Sequence, residues 1–191
     1  MKTNLKYLAM ALFAAAAITS CRSDDEDEVV PLPVNEEEVI TTMVLAFDGQ
    51  AGAVDKELRF TDADGDGGGA PVFDVDTLQA ASVYNVSIIL LNETANPVDT
   101  ISNEVLDEGT DHQFFFQPGA VNLSVAYSDT DVNGQPIGLH SVWTIGAASS
   151  DSTRVTLRHE PDKSAPGVSG GDISNAGGET DIEVKFPLVI E

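Results

Sequence analysis

Three aspartates at alternate positions form the stretch of this chain whose spacing best suits metal chemistry. Asp62, Asp64 and Asp66 lie in the segment TDADGDGGGAP, and three glycines follow the last of them. Alternate carboxylates on a tightly turning backbone converge on one hard cation, and glycine permits the turn. The segment therefore raises the prospect of a calcium loop.

A strand-joining turn is the alternative interpretation of the same segment. A twelve-residue calcium loop ends in glutamate, whereas this one would end at Phe73. Asp-Gly is also a strong hairpin signal, and an alternating segment precedes it. Asp74 and Asp76 lie close enough in sequence to complete a calcium shell. Both interpretations remain open from the residues alone.

A second copy of the pattern occurs at Asp129, Asp131 and Asn133, in the segment SDTDVNGQPIGL. Its twelfth position is His140, so it also lacks the closing glutamate. Asn-Gly is a strong hairpin dipeptide, and we expect this copy to be a turn. Calcium is the cofactor that both segments suggest, because even a weak site can fill at the millimolar calcium found outside cells.

Two histidines offer a different metal chemistry. His112 lies in TDHQFFF and His159 in LRHEPDK, each beside carboxylates at the end of an expected strand. Imidazole and carboxylate from two strand ends can hold a transition metal. Glu160 and Asp162 belong to this weak ligand-binding set. No two histidines have a ligand-type spacing, so the sequence favours partly buried, hydrogen-bonded strand residues.

Nothing in the sequence predicts an enzyme. The segment 167–171 matches G-x-S-x-G, but that motif works as a strand–turn–helix elbow, and here it lies in a glycine-rich loop. That loop, residues 160–179, is long enough to be either functional or disordered, and we expect any site to lie there.

The fold is predicted by hydrophobic periodicity. From residue 39, apolar residues alternate with polar ones in about eight or nine short segments, ending with Ile182, Val184, Phe186, Leu188 and Ile190. Residues 98–109 read instead as a short helix that crosses between sheets or closes one end of the domain. We therefore expect residues 39–191 to form an all-β, antiparallel Ig-like β-sandwich of eight or nine strands with one short helix.

The N-terminal residues indicate export and lipidation. Residues 1–20 have a basic start and an apolar run, and ITSC ends at Cys21, which is the only cysteine of the chain. This ending resembles the lipobox of bacterial lipoproteins, in which the signal peptide is cut before the lipidated cysteine. We expect residues 1–20 to be a signal peptide, Cys21 the lipidation site, and residues 21–38 an acidic disordered tether.

The charge of the chain excludes one class of partner. The formal net charge is −23, and loss of Lys2 and Lys6 with the signal would take it to −25. Such a chain does not bind nucleic acid by electrostatics, and it attracts cations.

The acidic run RSDDEDE after Cys21 resembles the export signal of surface lipoproteins of the Bacteroidetes. The segments EEVITTMVLAF, HQFFFQ and LRHEPDKSAPGVSGGDISNAGGETDIEVKF resemble a family of small flavobacterial lipoproteins, whose members often carry the label "type 1 periplasmic binding fold superfamily protein". The resemblance implies an outer-membrane lipid anchor facing the cell exterior and carries no established activity.

The function expected from these features is binding. We expect an outer-membrane, surface-exposed lipoprotein whose β-sandwich binds a cation, a small ligand or a partner protein. By analogy, it could serve a neighbouring outer-membrane transporter. The alternative is a structural or adhesive module in which calcium only stiffens loops.

Overall fold

The computed structural model describes residues 38–64 and 67–191, which contain nine β-strands, one α-helix and two 3₁₀ turns. The predicted signal peptide, the lipidation site Cys21 and almost all of the predicted tether lie outside the described residues, as does Asp66. Within the described part of the chain, no helix has the length and apolar character needed to cross a membrane.

The strands in chain order are β1 (Thr42–Gly49), β2 (Lys56–Thr61), β3 (Val72–Val75), β4 (Val83–Leu91), β5 (His112–Pro118), β6 (Leu123–Tyr127), β7 (His140–Ile145), β8 (Ser149–His159) and β9 (Glu179–Ile190). The α-helix α1 (Ile101–Asp107) lies between β4 and β5, and the 3₁₀ turns Val168–Gly170 and Ile173–Asn175 lie between β8 and β9.

The strands form two antiparallel sheets. One has six strands in the order β3-β2-β1-β4-β7-β6, and the other has three in the order β5-β8-β9. The prediction of an all-β antiparallel sandwich with one short helix is confirmed. Three of the seven strand pairs, β1–β4, β4–β7 and β5–β8, join strands that are not consecutive in the chain, so the fold brings residues from far apart in sequence to the same strand ends.

The core lies between the two sheets. It contains Phe47, Tyr84 and Trp143 of the large sheet and Phe114 and Phe186 of the small one, all 2% exposed or less. The rings of Phe47 and Trp143 meet edge to face with centroids 5.2 Å apart. Alternation in β9 has the predicted phase, because Val184, Phe186, Leu188 and Ile190 are buried and the residues between them are exposed.

Helix α1 carries the chain from one sheet to the other, as predicted, although it is shorter than residues 98–109. Ile101 and Val105 lie one turn apart and are both buried in the core, which fixes the helix against the sandwich. The Glu108 amide donates to the Glu104 carbonyl, and the Gly109 amide donates to the Leu106 carbonyl, which closes the helix. This closure positions Glu108 just before β5.

Candidate metal centre

Two histidines lie side by side at one end of the small sheet. His112 begins β5 and His159 ends β8, and the two are directly opposite in the strand register. Their ring centroids are 4.6 Å apart, with an angle of 76° between the ring planes. Antiparallel pairing thereby brings together two histidines that lie 47 positions apart in sequence and have no ligand-type spacing.

A β-bulge brings a carboxylate to the same place. The register between β8 and β9 shifts at Leu157 and Arg158, so that Leu157 faces Ile182, Arg158 faces Thr180, and Asp181 is the extra residue. Bulges re-aim side chains at strand ends. Asp181 therefore lies against the two histidines, which the alternation of β9 alone would not allow.

Each oxygen of Asp181 lies near a different imidazole. Oδ2 is 3.7 Å from Nε2 of His112, and Oδ1 is 3.9 Å from Nδ1 of His159. These distances exceed those of a hydrogen bond. The side chains of His112, Asp181 and His159 are 0%, 9% and 13% exposed, so the three polar groups are largely withdrawn from water.

The orientation of His112 is fixed by Glu108, the residue that directly follows α1. Its Nδ1 is 3.2 Å from the carbonyl oxygen of Glu108. A carbonyl only accepts hydrogen bonds, so Nδ1 carries the proton, and in the neutral ring Nε2 presents its lone pair to the cluster. Burial lowers the pKa of His112 below 6.5, although the hydrogen bond to Glu108 acts in the opposite direction. The neutral form of the ring is thus favoured.

Two more carboxylates lie close to His112 and form a second group with it. Donor atoms of Glu38, Glu108 and His112 lie within 4.8 Å of one another, as do those of His112, His159 and Asp181. Oε2 of Glu38 is buried and forms no hydrogen bond to any residue that the structure describes. Burial raises the pKa of Glu38 to about 7, and the negative charges of Glu104, Asp181, Glu108 and Asp99 add to the effect. A cation here would relieve this repulsion.

The cluster opens onto an acidic cleft of about 620 Å³. Five acidic residues line it, Glu38, Asp62, Asp64, Asp181 and Glu183, and its apolar lining includes Phe60, Ile40 and Ile182. The cleft offers an ion a path from solvent to the cluster. The carboxylates that line the cleft attract cations toward it. The first aspartate-rich segment thus shares one cleft with Glu38 and Asp181, the two carboxylates whose other neighbours include His112.

The first aspartate-rich segment is only partly assembled as predicted. Oδ2 of Asp64 accepts a hydrogen bond from the Gly69 amide at 2.9 Å, as in a polar turn. Asp74 lies exposed on β3 opposite Arg59, and Asp76 accepts from the Glu57 amide and lines a different cleft. The structure does not bring Asp76 to the cleft of Asp62 and Asp64, because strand pairing between β2 and β3 fixes it elsewhere.

The second aspartate-rich segment is organised around protein donors. Asp129 accepts from the amides of Gly138 and His140, both at 2.8 Å. Asp131 accepts from the Asn133 and Gln135 amides, and its other oxygen is 3.0 Å from Nζ of Lys163. Asn133 therefore supplies its backbone amide to this turn. The result agrees with the expectation of a turn.

Lys163 occupies the place that a cation would take in that turn. Its buried ammonium donates to the carboxylate of Asp131 and to the carbonyl oxygens of Gly109 and Pro136. Burial raises the pKa of Asp131, but hydrogen bonds from the Gln135 amide and Lys163 outweigh it and hold that pKa below 3.8. Lys163 belongs to the segment 160–179, which is thereby tied to the domain.

The remaining predicted residues have local structural roles. Asp162 accepts hydrogen bonds from the amide and the hydroxyl of Ser164, and its carboxyl pKa is lowered by them. Glu160 is exposed, and its amide donates to the Asp111 carbonyl. In the part of the chain that the structure describes, neither residue belongs to a group of three or more His, Cys, Asp or Glu side chains within ion-sharing distance.

Sequence reasoning missed Glu38, Glu108 and Asp181. Asp181 directly precedes the inward-facing Ile182 in ETDIEVKF, so alternation points Asp181 outward. Only a bulge could turn it inward. The acidic run places Glu38 in the expected tether, and Glu108 falls at the end of the expected helix. No local pattern marks either residue as a ligand.

Comparisons of the chain with protein-family models, with curated proteins and with solved structures gave no match.

Proposed function

We propose that this chain is a lipid-anchored, surface-exposed outer-membrane protein whose β-sandwich binds a divalent cation. The observation that carries the binding proposal is the cluster of His112, His159 and Asp181 at the strand ends. Nε2 of His112 is buried and forms no hydrogen bond to any residue that the structure describes, whereas buried polar groups are normally satisfied by a partner. With its proton on Nδ1, neutral His112 turns a lone pair toward a carboxylate, an arrangement that a shared cation stabilises.

The charge of the protein supports the same function. A formal charge near −25 and the carboxylates of the cleft raise the local concentration of cations around the cluster. The proposed role is therefore binding rather than catalysis. An outer-membrane transporter is the partner we propose to receive or supply the ion, by analogy with how surface lipoproteins serve uptake.

The cation proposal predicts a single ion retained by the folded domain. The material is the chain from residue 21 to 191 with Cys21→Ser, dialysed against calcium, magnesium, manganese or zinc and analysed for metal content. High salt should suppress diffuse binding to the acidic surface. Asp181→Asn should lose the ion, because it removes the carboxylate that both histidines face.

Asp162→Asn is the matched control, since it also removes an acidic side chain but outside the cluster. It should retain the ion as the parent chain does. Equal metal content in the parent chain and in Asp181→Asn, for every ion tested, would rule out this cluster as the binding site.

The anchoring proposal predicts a change of compartment. Cys21→Ala should prevent acylation, because the thiol that carries the lipid is absent, and the protein should leave the membrane fraction. Fractionation of cells with immunodetection measures this. The control is Arg22→Ala, which changes the neighbouring residue and should stay with the membrane. Normal membrane association of Cys21→Ala would refute the lipid anchor.

A further inference from the structure

The donor types of the cluster discriminate between classes of divalent ion. His112 and His159 offer imidazole nitrogens, and Asp181 and Glu38 offer carboxylate oxygens. Calcium and magnesium take oxygen ligands, whereas imidazole suits zinc, copper, iron and nickel. Two nitrogens among the nearest donors therefore favour a borderline transition metal over the calcium that the aspartate-rich segments suggest.

The hydrogen bond that His112 donates through Nδ1 is of the type that supports a metal-binding histidine. Metal-binding histidines almost always donate their other ring N–H to a carbonyl or carboxylate, which fixes the ring and its tautomer. The Nδ1 contact of His112 with the Glu108 carbonyl supplies this support, and His112 is fully buried. Its Nε2 forms no hydrogen bond to any of the described residues and faces the cluster.

The spacing of the donors also fits. Two ligands of a tetrahedral zinc ion, each about 2.1 Å from it, lie about 3.4 Å apart. The observed separations of 3.7 and 3.9 Å between Asp181 and the two histidines are close to this value, and all three donors lie within 4.8 Å of one another. Small side-chain movements suffice to close a shell around one ion.

Glu38 offers His112 a neighbouring carboxylate from the side of the other sheet. It precedes β1 of the six-stranded sheet, whereas His112, His159 and Asp181 belong to the three strands of the small sheet. Its Oε2 is buried in the wall of the cleft, and Glu38 and His112 have donor atoms within 4.8 Å of each other. An ion held by all four residues would join the two sheets at this end of the sandwich.

We propose that the cluster selects a borderline transition metal of the zinc class, held by His112 Nε2, His159 Nδ1, Asp181 and Glu38. This inference rests on the proposed cation-binding function and names the class of ion that the site takes. The ion joins the segment before β1 to the small sheet, so its binding should also raise the melting temperature of the domain by mass action.

The test compares zinc and calcium on the chain from residue 21 to 191 with Cys21→Ser. Competition with a chromophoric chelator and calorimetry give both affinities. We expect zinc to bind at least about 100-fold more tightly than calcium. We also expect His159→Ala to weaken zinc binding by more than the roughly 10- to 100-fold typical of removing a residue that only supports a metal ligand. His140→Ala is the matched control, because this third histidine is exposed and bonded to Ser87, and it should leave zinc affinity unchanged.

His112→Ala should have the same effect as His159→Ala, and circular dichroism shows whether this buried variant is folded. If it is not, His159→Ala decides, since its side chain lies nearer the surface. Glu38→Gln should weaken zinc by about tenfold or more, whereas the exposed control Glu57→Gln should not.

The outcomes separate the two proposals. Equal affinity for calcium and zinc, with no effect of His159→Ala, would overturn the zinc-class assignment and leave the cation-binding function standing. Absence of any bound divalent ion would overturn both. Zinc binding that survives Glu38→Gln unchanged would remove Glu38 from the shell and, with it, the link between the sheets.

Discussion

Lys163→Ala should destabilise the folded domain by about 3–5 kcal/mol, the range for removing one partner of a buried ion pair. The side chains of Lys163 and Asp131 are only 7% and 2% exposed. Truncation would leave the Asp131 carboxylate buried without its counter-ion and two carbonyl oxygens without their donor. Urea unfolding followed by circular dichroism measures the change.

The control for this prediction is Lys185→Ala, because Lys185 is exposed on β9 and surface substitutions usually stay within about 0.5 kcal/mol. The pH dependence gives a second readout. Asp131 has a folded pKa below its ordinary 3.8, so the pair contributes its full stability above that pH and loses it as the pH falls. A cost under about 1 kcal/mol at neutral pH would show that the ammonium is not buried in this pair.

Phe186→Ala should cost about 3–5 kcal/mol, as large-to-small changes of buried aromatic residues do. Phe186 is 0% exposed in the core between the sheets, and its ring meets Phe73 edge to face at 6.0 Å. Val189→Ala on the same strand is the control, since Val189 is 37% exposed. Similar unfolding midpoints for the two variants would mean that β9 does not pack with this face inward.

The two predictions differ in how far the sequence pattern specifies them. Hydrophobic periodicity specifies the buried face of β9, which contains Phe186, but it does not specify the long-range ion pair of Lys163 and Asp131. Alternation predicts which residues of β9 face inward, because a one-residue slip would expose every apolar side chain of the strand. The spacing of Ile101 and Val105 likewise predicts the helix. These are local consequences of burying one face, and the structure confirms them.

The candidate site depends on long-range pairing, which local patterns do not contain. His112 and His159 come together through the register of β5 and β8, and Asp181 joins them through a bulge. The segment of Asp131 shows the converse, because its local sequence pattern suggests a cation loop. The positive charge beside Asp131 comes instead from Lys163, 32 residues further along the chain. A local motif thus suggests a metal where the fold supplies an ammonium group.

The most direct test of the proposed metal centre is anomalous diffraction from crystals of residues 21–191 with Cys21→Ser, grown with zinc and measured on both sides of the zinc absorption edge. We predict one strong peak about 2.0–2.2 Å from His112 Nε2, His159 Nδ1 and a carboxylate oxygen of Asp181. A crystal without a peak at this cluster, or with zinc only at the segment of Asp62 and Asp64, would contradict the proposal.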